Sequence, residues 1–259
     1  MGIARVFGRA QKQGRLALIP YIMAGDPDVE TSQRVLDQLA RAGADLVELG
    51  IPYGDPLADG TTIARAGQRA LKSGTTVAAV LALAKKSPLP VILFGYFNPI
   101  MQFGIDGFAQ ACEDACIVGV IVPDVALEEG QELRAALLAR GIKMPLLVAP
   151  TTRPPRIATI CEQASGFVYV VSRLGVTGRS GDEEFGLRQR LAELRSLTDL
   201  PLAVGFGIRT PDDVRRLHGQ ADGTVVGSAL IDAYADVSKE KAAQHVYRLA
   251  KALREACEG

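Results

Sequence analysis

Histidine is nearly missing from this chain: 259 residues hold only His218 and His245, and both fall in stretches with helical periodicity. That removes a histidine-activated nucleophile and a histidine-held metal from the chemistries to consider. Cysteine is scarce as well, and Cys112, Cys116, Cys161 and Cys257 are too scattered to form a disulfide framework in a protein of this size. Cys112 and Cys116 sit one helical turn apart with no further ligand nearby, so they read as reduced thiols. Net charge is absent, because 29 Lys plus Arg balance 29 Asp plus Glu. No overall basic field therefore draws the chain to nucleic acid or to acidic lipid. No segment approaches the ~18 uninterrupted apolar residues of a membrane span, and the N-terminal residues lack a long apolar core. The expectation is a soluble, cytoplasmic protein with neither a nucleic-acid nor a membrane partner.

Lysine is missing where a Schiff base would need it. Lys72, Lys85, Lys86, Lys239, Lys241 and Lys251 lie in helical patterns, and Lys143 precedes a strand. A dinucleotide fingerprint is absent too, since Gly205-Phe206-Gly207 alone is too weak a signal for a nucleotide.

What is present is a regular alternation. Short apolar runs at 16–23, 44–49, 90–94, 119–122, 144–148, 167–171, 202–205 and 223–226 read as eight strands. Helical patterns separate them at 29–42, 61–71 with 77–85, 105–115, 128–140, 154–163, 185–197 and 211–217, and a last one covers 238–257. Eight strands each followed by helix specify a closed (β/α)8 barrel of the TIM type more economically than an open sheet. A short N-terminal helix at 3–13 would cover its lower end. Gly43, Gly141 and Gly219 stand where helix C-caps belong, and Pro154 and Pro211 stand in first turns. With 48% hydrophobic residues and no linker, the reading is one α/β domain spanning 1–259. The glycine-rich stretch 174–186 reads as a single loop.

In such a barrel the site is built after the strands, and one segment there stands out. Residues 44–60 carry an apolar strand with Glu48 inside it, then Asp55 and Asp59 in the following loop. A carboxylate among Leu46, Val47 and Leu49 leaves water at a cost unless it is paired or neutralised. Two readings stand open: a buried ion pair that fixes the fold, or a carboxyl whose raised pKa suits general acid–base catalysis. Asp55 and Asp59 are weaker by themselves, because Asp and Pro are ordinary turn residues.

A second signal comes after the sixth, seventh and eighth strands, where Gly178, Gly207 and Gly227 with Ser228 place small residues on adjacent turns. Backbone N–H groups and helix N-termini in such positions can surround a phosphate. Arg173 and Arg179 stand close by in sequence. Acid–base catalysis by carboxyls on a phosphorylated substrate, without metal, is what remains.

At these residues the sequence resembles the α subunit of tryptophan synthase. The matching segments are PYIMAGDP at 20–27, ELGIPYGDPLADG at 48–60, YFNP at 96–99, YVVSRLGVTG at 169–178, GFGI at 205–208 and VGSA at 226–229. They keep the family's order and span the chain. Two departures are Thr61, where proline is usual, and Gly54, where serine is common; both bear on the stiffness of that loop. The resemblance implies a retro-aldol cleavage of indole-3-glycerol phosphate to indole and glyceraldehyde 3-phosphate. Glu48 would correspond to the general acid/base and Asp59 to the carboxylate that holds the indole N–H. Thr177 would close onto Asp59, and Tyr169 would neighbour Glu48. Gly178, Gly207, Gly227 and Ser228 would bind phosphate. The resemblance further implies an α2β2 heterotetramer that passes indole to a β subunit holding pyridoxal phosphate, with no cofactor in this chain. Asp55, Pro56 and the loop 96–104 would face that partner, and 174–186 would act as a lid. Three alternatives remain open: a different phosphate-binding barrel such as a sugar-phosphate isomerase or epimerase, a stand-alone indole-forming lyase that needs no partner, and a catalytically silent subunit that only docks onto a β chain.

Overall fold

The computed structural model describes residues 2–172 and 180–259, with the side chains of 180–185 outside the description. Eight parallel strands carry the fold: β1 (Ala17–Met23), β2 (Val47–Gly50), β3 (Val91–Phe94), β4 (Gly119–Ile121), β5 (Leu146–Val148), β6 (Val168–Val171), β7 (Leu202–Gly205) and β8 (Gly223–Val226). Their order is β4-β3-β2-β1-β8-β7-β6-β5. The remaining gap closes through a parallel bridge between Gly119 and Lys143, where the Val120 N–H donates to the Lys143 carbonyl at 2.9 Å. The result is the expected (β/α)8 barrel. All seven residues of β1 are buried, as they must be in a parallel strand covered by helices outside and side chains inside.

The helices are α1 (Ile3–Lys12), α2 (Val29–Arg41), α3 (Thr61–Lys72), α4 (Val77–Lys85), α5 (Phe97–Phe103), α6 (Ile105–Asp114), α7 (Gln131–Ala139), α8 (Pro154–Gln163), α9 (Ser180–Leu197), α10 (Pro211–Arg215), α11 (Ser228–Ala235) and α12 (Lys239–Ala256). Helix α1 buries Ile3, Val6, Phe7 and Ala10 against the lower end of the barrel. A Cβ on Gly223 would come within 2.9 Å of the Phe7 ring, so the floor is packed and not a pore. Gly43, Gly141 and Gly219 have φ of 91°, 74° and 73°, the left-handed conformation of a helix C-cap.

Three local expectations are corrected. The segment 96–104 is not a loop but holds α5, whose first N–H, on Phe97, donates to Asp124 at 3.0 Å; the cap comes from the loop after β4 and leaves no local signal. Helix α11 begins directly after Gly227, without a side-chain cap. The loop expected at 174–186 ends earlier, because α9 starts at Ser180.

The strand at 44–49 begins only at Val47, for a reason seen at Asp45. That carboxylate is buried and accepts from Arg15 at 2.7 and 2.8 Å, from Arg9 at 2.9 Å and from the Leu18 N–H at 3.0 Å. Burial alone would raise its pKa, but the hydrogen bonds from Arg15, Leu18 and Arg9 outweigh this and hold it below the usual carboxylate range. Asp45 belongs to the floor of the barrel and ties β2 to β1 and α1.

Candidate active site

Strand register sets the site. Tyr21 on β1 pairs with Glu48 on β2, and Glu48 pairs with Ile92 on β3, so these three side chains stand at one level. A cavity of about 290 Å³ opens above them, lined by Glu48, Asp59, Tyr21, Phe94, Tyr169 and Phe206 and, toward the rim, by the segments 60–63, 207–209 and 227–228. It lies at the carboxyl ends of the strands, where barrel enzymes carry their chemistry.

Glu48 is 1% exposed, and its Oε1 has no hydrogen-bond partner. Among the described residues Glu48 therefore has no ion-pair partner. Burial without a counter-charge pushes its pKa up to about 8, because the charged form loses its hydration and gains nothing in return. Its neighbours are the buried phenols of Tyr21 and Tyr169. Two glycines make room for them: a Cβ on Gly50 would lie 2.3 Å from the Tyr21 hydroxyl, and one on Gly205 would lie 2.2 Å from that of Tyr169. The ring of Tyr169 meets Phe206 edge-on at 5.7 Å between centroids, and Phe206 holds the strained φ of 64°.

The loop that carries Asp59 is held by Tyr96, which sequence reasoning had assigned elsewhere. Tyr96 is buried, and its hydroxyl accepts from the Ala58 N–H at 3.0 Å, which sets the phenol near the Asp59 carboxylate, whose pKa it acts to lower. Burial raises the Asp59 pKa and the Tyr96 hydroxyl opposes that rise. The same loop is fastened by Asn98, which donates to the Tyr53 hydroxyl at 3.2 Å, and by contact of the Tyr53 and Tyr96 rings. The signal for this was the YFNP segment directly after β3, whose tyrosine belongs to the site and not to its rim. On the other side, Asp26 receives a two-pronged hydrogen bond from Arg69 at 2.7 and 2.8 Å, so the loop after β1 anchors α3 and, with it, Gly60 to Thr62.

Of the other expected residues, Tyr169, Gly207, Gly227 and Ser228 all line the cavity. Gly227 and Ser228 form the N-terminus of α11, and Gly207 has φ of 96°. Asp55 is exposed and Pro56 half-buried on the loop outside the cavity, next to Leu57 at 80% exposure. Thr177 and Gly178, with Arg173 and Arg179, lie outside the described residues. Arg209, Thr62 and Asp232 had not been anticipated: Arg209 donates to the Ser228 Oγ at 3.0 Å and to Asp232 at 2.6 Å. His218 and His245 are remote, and His218 shares a hydrogen bond with the Ala256 carbonyl.

Fold and cavity together define the class, a (β/α)8-barrel enzyme with its site at the strands' carboxyl ends. Comparison with known proteins narrows it. The family model described as tryptophan synthase alpha chain matches residues 7–258. A tryptophan synthase alpha chain of Prochlorococcus marinus is 46% identical over 98% of this chain and 94% of its own length. One from Gloeobacter violaceus is 44% identical over the same shares. Among solved structures, a tryptophan synthase chain of Mycobacterium tuberculosis superposes with a TM-score of 0.91 at 33% identity, covering 99% of this chain and 98% of that one. The alpha chain of Legionella pneumophila gives 0.89 at 34% identity, covering 99% and 97%. The chain belongs to the tryptophan synthase alpha chain family.

Proposed function

We propose that Glu48 is the proton carrier and Asp59 the indole anchor of the family's reaction, the cleavage of indole-3-glycerol phosphate to indole and glyceraldehyde 3-phosphate. The observation that carries this reading is a fully buried carboxyl with one bare oxygen, opening on a cavity that Asp59 also lines. With a pKa near 8, Glu48 enters the reaction at neutral pH as an acid. It gives its proton to indole C3, and Asp59 stabilises the positive charge that spreads to the ring N–H. The bond between C3 and the glycerol carbon then breaks, its electron pair restores the indole, and the glycerol hydroxyl becomes the aldehyde as its proton returns to Glu48. The carboxyl ends as it began, so no external acid or base is consumed.

The phosphate end is assigned to the rim formed by Gly207, Gly227 and Ser228, where glycine lets the anion approach backbone N–H groups and the N-terminus of α11 receives it. The chain acts as one catalytic domain spanning 1–259, in the cytoplasm, as the lyase half of an α2β2 assembly. Asp55 and Pro56 face the β subunit, to which the indole passes. Pyridoxal phosphate is assigned to that partner, and no cofactor to this chain. Among the described residues no helix is long and apolar enough to cross a membrane.

The test is indole release from indole-3-glycerol phosphate, measured with and without an added β subunit. Glu48→Gln is expected to abolish turnover while substrate affinity stays within about tenfold, because the lost step belongs to the transition state. A variant that keeps most of its kcat would show that another group moves the proton. High indole release without any β subunit would favour a stand-alone lyase.

A further inference from the structure

Among the described residues that line the cavity, Arg209 is the only cation. Its position is specified at several points. The Arg209 N–H donates to Asp213 at 3.1 Å, within the capping box that starts α10 at Thr210. Its guanidinium donates from Nη1 to the Ser228 Oγ at 3.0 Å and from Nη2 to Asp232 at 2.6 Å. Asp232 lies one turn beyond Ser228 on α11, and its other oxygen accepts from the Thr62 Oγ1 at 3.1 Å. A bridge Thr62–Asp232–Arg209–Ser228 thus runs from α3, just after the Asp59 loop, to the turn where the phosphate end was assigned.

We propose that Arg209 is a specificity-determining residue for the phosphate group, held over its subsite by Asp232; this rests on the phosphate assignment made above. A guanidinium has five N–H donors. Two are engaged on Ser228 and Asp232, and the guanidinium lines the same cavity rim as Gly207, Gly227 and Ser228. A group within hydrogen-bond reach of Ser228 is within reach of whatever Ser228 holds. The planar fork suits a phosphate oxygen pair, which a lysine would meet only as a point charge. Asp232 orients the fork but opposes an incoming dianion, so it tempers affinity as it positions. Replacing Asp232 by Asn keeps an oxygen for Arg209 and removes that negative charge.

The experiment is calorimetric titration of the folded chain with glycerol 3-phosphate, and separately with indole, for the wild type, Arg209→Gln, Arg209→Lys and Asp232→Asn. Arg209→Gln is expected to raise the Kd for glycerol 3-phosphate about tenfold, Arg209→Lys about threefold, and Asp232→Asn to lower it about threefold, as charge-assisted hydrogen bonds of this kind imply. Indole affinity should stay put in all four. In turnover with indole-3-glycerol phosphate the loss in Arg209→Gln should fall on KM rather than kcat, and the dependence of KM on salt should flatten. Equal Kd for glycerol 3-phosphate in the wild type and Arg209→Gln would overturn the inference alone. So would an equal loss for indole, which would mean that Arg209 only shapes the pocket. If Arg209→Gln does not fold, Asp232→Asn decides, and an unchanged or raised Kd there counts against the proposal. Failure of the wild type to bind glycerol 3-phosphate at all would remove the phosphate subsite itself, and the inference with it.

Discussion

Replacing Glu48 by glutamine should stabilise the protein, and by an amount that grows with pH. The unfolded carboxyl titrates near 4.5, while burial without a partner raises the folded value to about 8. A carboxyl whose pKa rises on folding gives its full support below the unfolded value and loses it as pH climbs to the folded one. Each pH unit between the two values costs about 1.4 kcal/mol, because the unfolded chain ionises freely and the folded chain must hold the proton. The wild type is therefore penalised by about 1 kcal/mol at pH 5, about 3 at pH 7 and about 5 above pH 8.5. Glutamine fills the same space, carries no charge and pays a desolvation cost that does not vary with pH. Urea unfolding of both proteins from pH 5 to 9 should give curves that diverge through this window and run parallel above it. Parallel curves throughout would mean that Glu48 titrates normally, and the account of its acid role would fail with them. The same pKa predicts that kcat/KM of the wild type falls as pH rises past about 8, since the entering acid is then lost.

Tyr96→Phe removes the hydroxyl that accepts from Ala58 and acts to lower the pKa of Asp59; the Asp59 pKa should rise further, and the acid limb of the kcat/KM profile should move to higher pH, so an acid limb superimposable on the wild type's would refute the link. Gly205→Ala drives a Cβ to 2.2 Å from the Tyr169 hydroxyl and should cost about 1–3 kcal/mol by overpacking; thermal melts should show part of this recovered in Gly205→Ala/Tyr169→Phe, and no recovery would place the strain elsewhere. Asp45→Ala leaves the Arg15 guanidinium buried without its partner, with the Arg15 side chain 5% exposed, and should lower stability by about 3–5 kcal/mol in urea titrations; a loss below 1 kcal/mol would contradict the role given to the floor cluster.

The barrel was legible because parallel strands and their helices leave different periods in the sequence, and the glycine caps and helix-starting prolines punctuate them. What escaped was settled by distant parts of the chain. Helix α5 starts where Asp124, from the loop after β4, accepts the Phe97 N–H, and nothing around Phe97 announces that. Helix α11 has apolar residues on several sides because α12, α3 and β1 all pack against it, so its periodicity is blurred. The same holds in the site. Glu48 betrayed itself by standing in an apolar run, but Tyr96 sits in a segment that reads equally well as a rim loop, and its hydrogen bond with Ala58 exists only once β2 and β3 are neighbours. Arg209 looked like one more arginine before a helix, and only the approach of α11 and α3 gives it Ser228 and Asp232.

Strand β2 and the residues leading into it carry two buried acids three positions apart, and the barrel treats them in opposite ways. At the lower end Asp45 meets two arginines and a backbone N–H, so its pKa falls below the ordinary range and it supports the fold until the pH drops far enough to protonate it. At the upper end Glu48 meets phenols, aliphatic side chains and a cavity, so its pKa rises and it weakens the fold as soon as the pH permits ionisation. The two slopes have opposite signs, and stability should peak on the acid side of neutrality, between the two titrations. Asp45→Ala should steepen nothing on the alkaline side, and Glu48→Gln should flatten it. This division follows from the polarity of parallel strands: every strand ends at the same mouth, so the bottom is free to be built for stability while the top must leave an acid unpaired for a substrate to use. An unpaired acid is tolerable there because it stays protonated at neutral pH, and that proton is the one the reaction needs first.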